Sequence, residues 1–236
     1  MSNHAPPFAD VPYQPFSRSA AIAIANDEWR LWGSRVGITP NYKQTESGMA
    51  ERQQGLWQRV GEYWWEGMNA GTTESRWTGE HDAQGQIFPI DRNTHYAWSA
   101  AFISYIMRIA GAGPDFPYAA DHSTYINYAA RAAQGRITDP LLVAENPASY
   151  APQPGDLVCF ARGGARHLTF ADLPTSSNFA SHCGIIVATS PGDADIIGGN
   201  IHDAVVLIHL PTDAHGLLKN DQVKWLAVLH VLYSVA

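Results

Sequence analysis

The run His95–Gly111, HYAWSAAFISYIMRIAG, constrains the fold more than any other stretch of the chain. Ala100, Ala101, Ile103, Ile106, Met107 and Ala110 recur at helical spacing, Gly111 supplies a stop, and Arg108 is the only charge. A helix this apolar is buried on most of its surface, so other elements must wrap around it. Its first turn, Trp98-Ser99-Ala100-Ala101, sets a hydroxyl among small side chains. Free N–H groups and the dipole favour negative charge at a helix N-terminus, which suits a nucleophile or an oxyanion. Serine is also a common N-cap, and this stretch alone favours the cap.

Composition narrows what can surround such a helix. The chain is 45% hydrophobic and 16% charged over 236 residues, which describes an ordered globular protein with a sizeable core. A net charge of −7 without any Lys/Arg block argues against a nucleic-acid or anionic-membrane partner. No apolar run approaches the roughly 18 residues a membrane helix needs. The start, MSNHAPPFADVPYQPF, lacks the basic and apolar parts of a Sec signal, so the expectation is synthesis in the cytoplasm without one. Cys159 and Cys183 allow at most one bridge and read as small buried hydrophobes.

Taken in order, residues 1–16 are proline-rich and read as an extended arm. Helices are expected at 17–32, at 48–69 with a stripe of Leu56, Val60, Tyr63, Trp64 and Met68, and from Asp121 or Ser123 to about 134. Loops cover 37–47, 72–94 and 135–153. Strands follow at 155–160, 181–189, 194–200, 204–210 and 223–235. Helices first and strands afterwards predict an α+β fold, N-terminal helices packed on a C-terminal antiparallel sheet, as one domain over 17–236.

The long polar loop at 72–94 carries Trp77, His81 and Asp82, and a loop of that length in a compact domain usually has a job. Adjacent residues rarely converge on one ion, so His81 and Asp82 read as substrate contacts or as solvated loop residues. Tyr63-Trp64-Trp65 reads as core plus lid, with a ligand platform as the sharper alternative. His122, at a helix start, faces either a cleft or solvent. His182 opens a strand, with Cys183 on the opposite face. If the 181–189 and 194–200 strands pair, His182 falls within about two residues of Asn200, as a base beside its orienter would. A satisfied core histidine is the equal alternative. The ten histidines show no H-x-x-H, H-E-x-x-H or C-x-x-C spacing, so neither a metal nor another cofactor is expected.

The order of these parts resembles the papain-like fold of NlpC-type and CHAP-type peptidoglycan hydrolases: a helix start, then PGDLVCF at 154–160, then SHCGIIV, then GGN. More narrowly, GEYWW at 61–65, WTGEHDAQG at 77–85 and AWSAAFISYIMRIAGAG at 97–113 are similar to an uncharacterised bacterial domain family placed near those enzymes. The likeness spans about residues 50–210. It implies a nucleophile at Ser99, where the enzymes carry cysteine, a base at His182 and an orienter at Asn200. A serine hydroxyl is far less acidic than a thiol and needs its proton removed during attack.

What the resemblance implies is a hydrolase of amide bonds in bacterial peptidoglycan, acting in the periplasm or cell wall after non-Sec export. An antibacterial effector or a lysin fits that description. Its partners would be peptidoglycan or its peptide fragments, with a secretion-system component or immunity protein as a further partner. Trp64, Trp77, His81, Asp82, Trp98 and His122 would line the substrate cleft. Two alternatives stand beside it: a non-catalytic wall- or glycan-binding module, and an acyl hydrolase or transferase acting on lipid-like amides or esters.

Overall fold

Helix α3 (Ser99–Ile109) forms within the expected run, and every residue from Ser99 to Met107 is buried. The structure, a computed structural model, describes residues 16–38, 50–68, 73–82, 84–87, 97–221 and 223–232. Nearly all of the proline-rich arm and residues 88–94 of the polar loop lie outside them. Around α3 stand α1 (Arg18–Leu31), α2 (Leu56–Gly67) and α4 (His122–Ala133). The expected 48–69 helix is divided into a 3-10 turn, Ala50–Arg52, and α2. Gly55 lies between them at φ +91°, a left-handed backbone that glycine adopts without a Cβ penalty and that no α-helix continues through.

The helices hold together by burial and by one ionic network. Glu28 of α1 is buried and accepts from the Arg59 guanidinium of α2 and, at 2.6 Å, from the Tyr63 hydroxyl. Tyr63 in turn accepts from Trp32 Nε1 at 2.8 Å, and Arg59 donates to the Tyr105 hydroxyl of α3. Glu28 thus has partners on two sides, which offsets the cost of burying its charge. Gly67 lets α2 approach α3 closely, because a Cβ there would lie 2.6 Å from the Ala101 carbonyl oxygen.

Seven described strands form one sheet: β1 (Val36–Gly37), β2 (Leu142–Glu145), β3 (Leu157–Ala161), β4 (Ser181–Ser190), β5 (Asp193–Gly198), β6 (Val206–Pro211) and β7 (Trp225–Val231). Their order is β1-β6-β5-β4-β3-β7-β2, so β4 is central. The fold is α+β, but the sheet is mixed where an all-antiparallel one was expected, because β1 pairs parallel to β6. Two residues carry no periodicity, so β1 leaves no mark on the sequence. Strand β2 lies within the expected 135–153 loop and is also short.

Cys159 and Cys183 face each other directly across β3 and β4 and form a disulfide. They are fully buried, as expected, but bonded rather than free.

Candidate active site

Ser99 is the first residue of α3, and the N-cap position belongs to Trp98, whose side chain makes no cap bond. The Ser99 hydroxyl is therefore not used to close its own helix. It lies 2.9 Å from Nε2 of His122 in a hydrogen bond. His122 is held there by the start of α4, where the Asp121 carboxylate accepts from the Thr124 backbone N–H at 2.9 Å and caps the helix. The first N–H groups of α3 have no carbonyl of their own helix to bond, and the hydroxyl stands at that end of the helix.

The sequence reading paired Ser99 with His182, but the serine's hydrogen bond runs to His122 instead. His182 makes no hydrogen bond to Ser99 among the described residues, and its ring stands edge-on to that of His122 with centroids 5.3 Å apart. Phe160, its cross-strand partner, also packs on His182, with ring centroids 5.5 Å apart. No hydrogen bond joins Asn200 to either histidine among the described residues. Asn200 lies just past the end of β5 at φ +56°, a left-handed turn position that asparagine tolerates well. The two glycines before it make room instead. A Cβ at Gly198 would lie 3.1 Å from His182 Nε2, and one at Gly199 would lie 2.6 Å from the Phe102 ring. The GGN motif thus shapes the floor beneath the histidine rather than orienting it.

Electrostatics keep both imidazoles neutral. Burial, with the Arg162 cation adding to it, pulls His182 down to about 3. Burial also holds His122 well below the ordinary histidine value, helped by His182 and Arg162. Among the described residues, His122 Nδ1 and His182 Nε2 are buried without hydrogen-bond partners. Neutral imidazole is the form that can accept a proton, and the hydroxyl it would accept from is already in contact.

The other residues expected to line the cleft are distributed differently. Trp64 and Trp98 are only 1% and 0% exposed, enclosed by Trp77 and Trp32 respectively. They belong to the core, since α2 and α3 turn their apolar faces toward each other. Trp77 is half-buried. His81 is buried, bonded through Nδ1 to the Gly79 carbonyl at 2.7 Å and stacked on Trp57. Asp82 accepts from the Gln84 and Gln86 N–H groups and closes a turn.

Sequence reasoning missed a second cluster altogether. The buried carboxylates of Glu51, Glu80 and Asp203 present oxygens within 4.8 Å of one another. Trp98 Nε1 donates to Glu51, and Arg52 pairs with Glu80. Burial, then the charge of Asp203, pushes the Glu51 carboxyl up to about 9, against the Trp98 hydrogen bond. The three acids come from well-separated segments, so no spacing marks them. The signal for His122 was better: Asp121-His122-Ser123-Thr124 places a histidine at the first position of a capped helix.

Residues 51–231 match a family described as an uncharacterized protein conserved in bacteria, DUF2272. The chain belongs to that family. No curated protein matches it, and no solved structure does. Ser99, His122, His182 and the Glu51 cluster all fall inside the DUF2272 span, whereas α1 precedes it. No described helix is long and apolar enough to cross a membrane.

Proposed function

We propose that this DUF2272 protein is a hydrolase of amide bonds in bacterial peptidoglycan peptides, with Ser99 as nucleophile and His122 as general base. The observation that carries the reading is the 2.9 Å hydrogen bond between Ser99 and a neutral, buried imidazole at the start of a buried helix. The motif order shared with NlpC-type and CHAP-type enzymes supports the substrate class and a papain-like arrangement. In that chemistry Ser99 Oγ attacks the carbonyl carbon while His122 Nε2 takes its proton. The N–H groups of the first turn of α3 receive the oxyanion. The imidazolium then gives its proton to the leaving amine, and water hydrolyses the ester. Burial disfavours the imidazolium, so the oxyanion forming beside it must supply the compensating charge.

Action outside the cytoplasm is part of the proposal. Its support is the Cys159–Cys183 bond, since disulfides form and persist in oxidising compartments. Digestion of purified sacculi tests the activity: new amino termini are expected from the wild type and none from Ser99→Ala or His122→Ala. Loss of product in Ser99→Ala that still folds, shown by a cooperative melt above the assay temperature, supports the nucleophile; undiminished release by that variant overturns it. One observation favours a second reading, a wall-binding module without catalysis: among the described residues His122 Nδ1 has no acceptor to fix its tautomer. Retention on sacculi with no new termini from the wild type would decide for that module.

A further inference from the structure

We infer that Arg162 forms an anion subsite beside Ser99 and His122, selecting peptides that carry a free carboxylate near the bond presented to Ser99. The inference deepens the hydrolase reading and rests on it for the identity of the site.

Phe160 of β3 faces His182 of β4, and Ala161 faces Ser181. The ladder continues one step beyond β3, where the Arg162 N–H donates to the Ala180 carbonyl at 2.7 Å. Arg162 keeps an extended backbone, φ −119° and ψ 166°. Side chains two apart on an extended strand share a face, so Arg162 lies on the same face as Phe160, whose ring touches His182. Its position is diagonal to His182 across the strands, a separation that a long side chain spans.

At that position Arg162 carries a charge with no counter-charge paired to it among the described residues, and that charge is felt by both histidines. Partial desolvation by the same surroundings, then the neighbouring Arg166, makes its protonated form less favourable than usual. The 3-10 turn Gly163–Ala165 that follows is open, with nothing within 4 Å of a Cβ built at Gly163 or Gly164. In a chain with a net charge of −7, Arg162, with Arg166 near it and no carboxylate paired with either among the described residues, forms a local exception. An anion that docks there relieves their repulsion and meets a planar fork suited to a carboxylate. Stem peptides of peptidoglycan carry such carboxylates next to their amide bonds.

The test is equilibrium binding to the Ser99→Ala protein, which cannot turn over its ligand. The probes are a fluorescein-labelled L-Ala-D-Glu-Lys-D-Ala peptide with free carboxylates and the same peptide with each carboxylate capped as a primary amide. The free-carboxylate peptide should bind about tenfold or more tightly. Adding Arg162→Gln should abolish that preference, and Arg162→Lys should retain only part of it, because lysine keeps the charge and loses the fork. Arg162 is exposed, so folding of these variants is expected and is checked by their melting temperatures. Equal affinities, a preference that survives Arg162→Gln, or no binding of either peptide overturns the inference. A carboxylate preference in a protein whose wild type releases no amine would sink the hydrolase reading alone. Cleavage of sacculi by a protein that binds both peptides equally would sink the subsite alone.

Discussion

On one flank of the Trp98–Ser99 junction, Ser99, His122 and His182 form a cluster of neutral bases; on the other, Trp98 leads to the acids Glu51, Glu80 and Asp203. Both clusters are buried, and among the described residues both contain polar atoms without partners: His122 Nδ1 and His182 Nε2 on one side, Glu80 Oε1 and Arg52 Nη2 on the other. The acid flank still has its own cation in Arg52 and its own proton on Glu51, so it can hold loops around the helix start without a ligand. The histidine flank has a hydroxyl and a lone pair in contact and an unpaired cation nearby, but no acid. Burial alone therefore does not distinguish a structural cluster from a reactive one. The difference is whether its charges close among themselves.

The largest expected effect breaks this contrast on stability. Arg52→Met takes the cation away from the buried Glu80 carboxylate, and breaking a buried pair from one side costs about 3–5 kcal/mol. Ser99→Ala removes a side chain that caps nothing but leaves the buried His122 Nε2 without its partner, and should cost about 1–3 kcal/mol. Urea unfolding of both variants measures the two figures. Comparable losses would mean that the histidine flank is also a structural closure, and the distinction would fall.

How much of this was legible in the sequence follows from range. The helix at 99–109 and the long strands showed through, because each repeats its apolar pattern over two or more turns or pleats. The strands β1 and β2 did not, being two and four residues long. Ser99 stood out because a hydroxyl in an apolar helix start is locally odd. Its partner did not, since 23 residues separate it from His122 and nothing local says which histidine packs there. The disulfide is similar: Cys159 and Cys183 meet through a register that only the folded sheet sets. Asn200 looked like an orienter from its place in GGN, yet a left-handed turn is what that position needs.

A smaller effect separates the flanks by pH. His182 has an ordinary value of 6.5 and a folded value of about 3, so between these the unfolded chain binds the extra proton. Stability is full above pH 6.5 and falls as acid is added, by about 1.4 kcal/mol per pH unit for that group. His122 acts in the same direction. Glu51 works oppositely: its value rises from 4.5 to about 9, so the folded chain holds the extra proton in that window. Its contribution is full below pH 4.5 and is lost as the pH climbs toward 9. His182→Gln should flatten the acid limb of a stability–pH curve and Glu51→Gln the alkaline limb. A curve in which either variant flattens both limbs would show that the clusters titrate as one.

The smallest change is Ser99→Cys, which alters one atom and should leave stability within about 1 kcal/mol. It nevertheless probes the histidine flank directly. Burial raises a thiol, since Ser99 keeps only 7% of its surface exposed. Two features oppose that: the unsatisfied N–H groups at the start of α3, and His122 Nε2 within hydrogen-bonding distance to take the proton. Transfer to His122 is resisted by the same burial that keeps its ring neutral, but a thiolate beside the imidazolium supplies the missing counter-charge. The pH dependence of iodoacetamide alkylation should therefore turn at a value below the ~8.5 of an ordinary thiol. His122→Ala in the same background should move it back up, whereas Glu51→Gln, on the other flank, should leave it in place. A midpoint at or above the ordinary value, unmoved by His122→Ala, would mean that the start of α3 stabilises no negative charge and that Ser99 is no nucleophile.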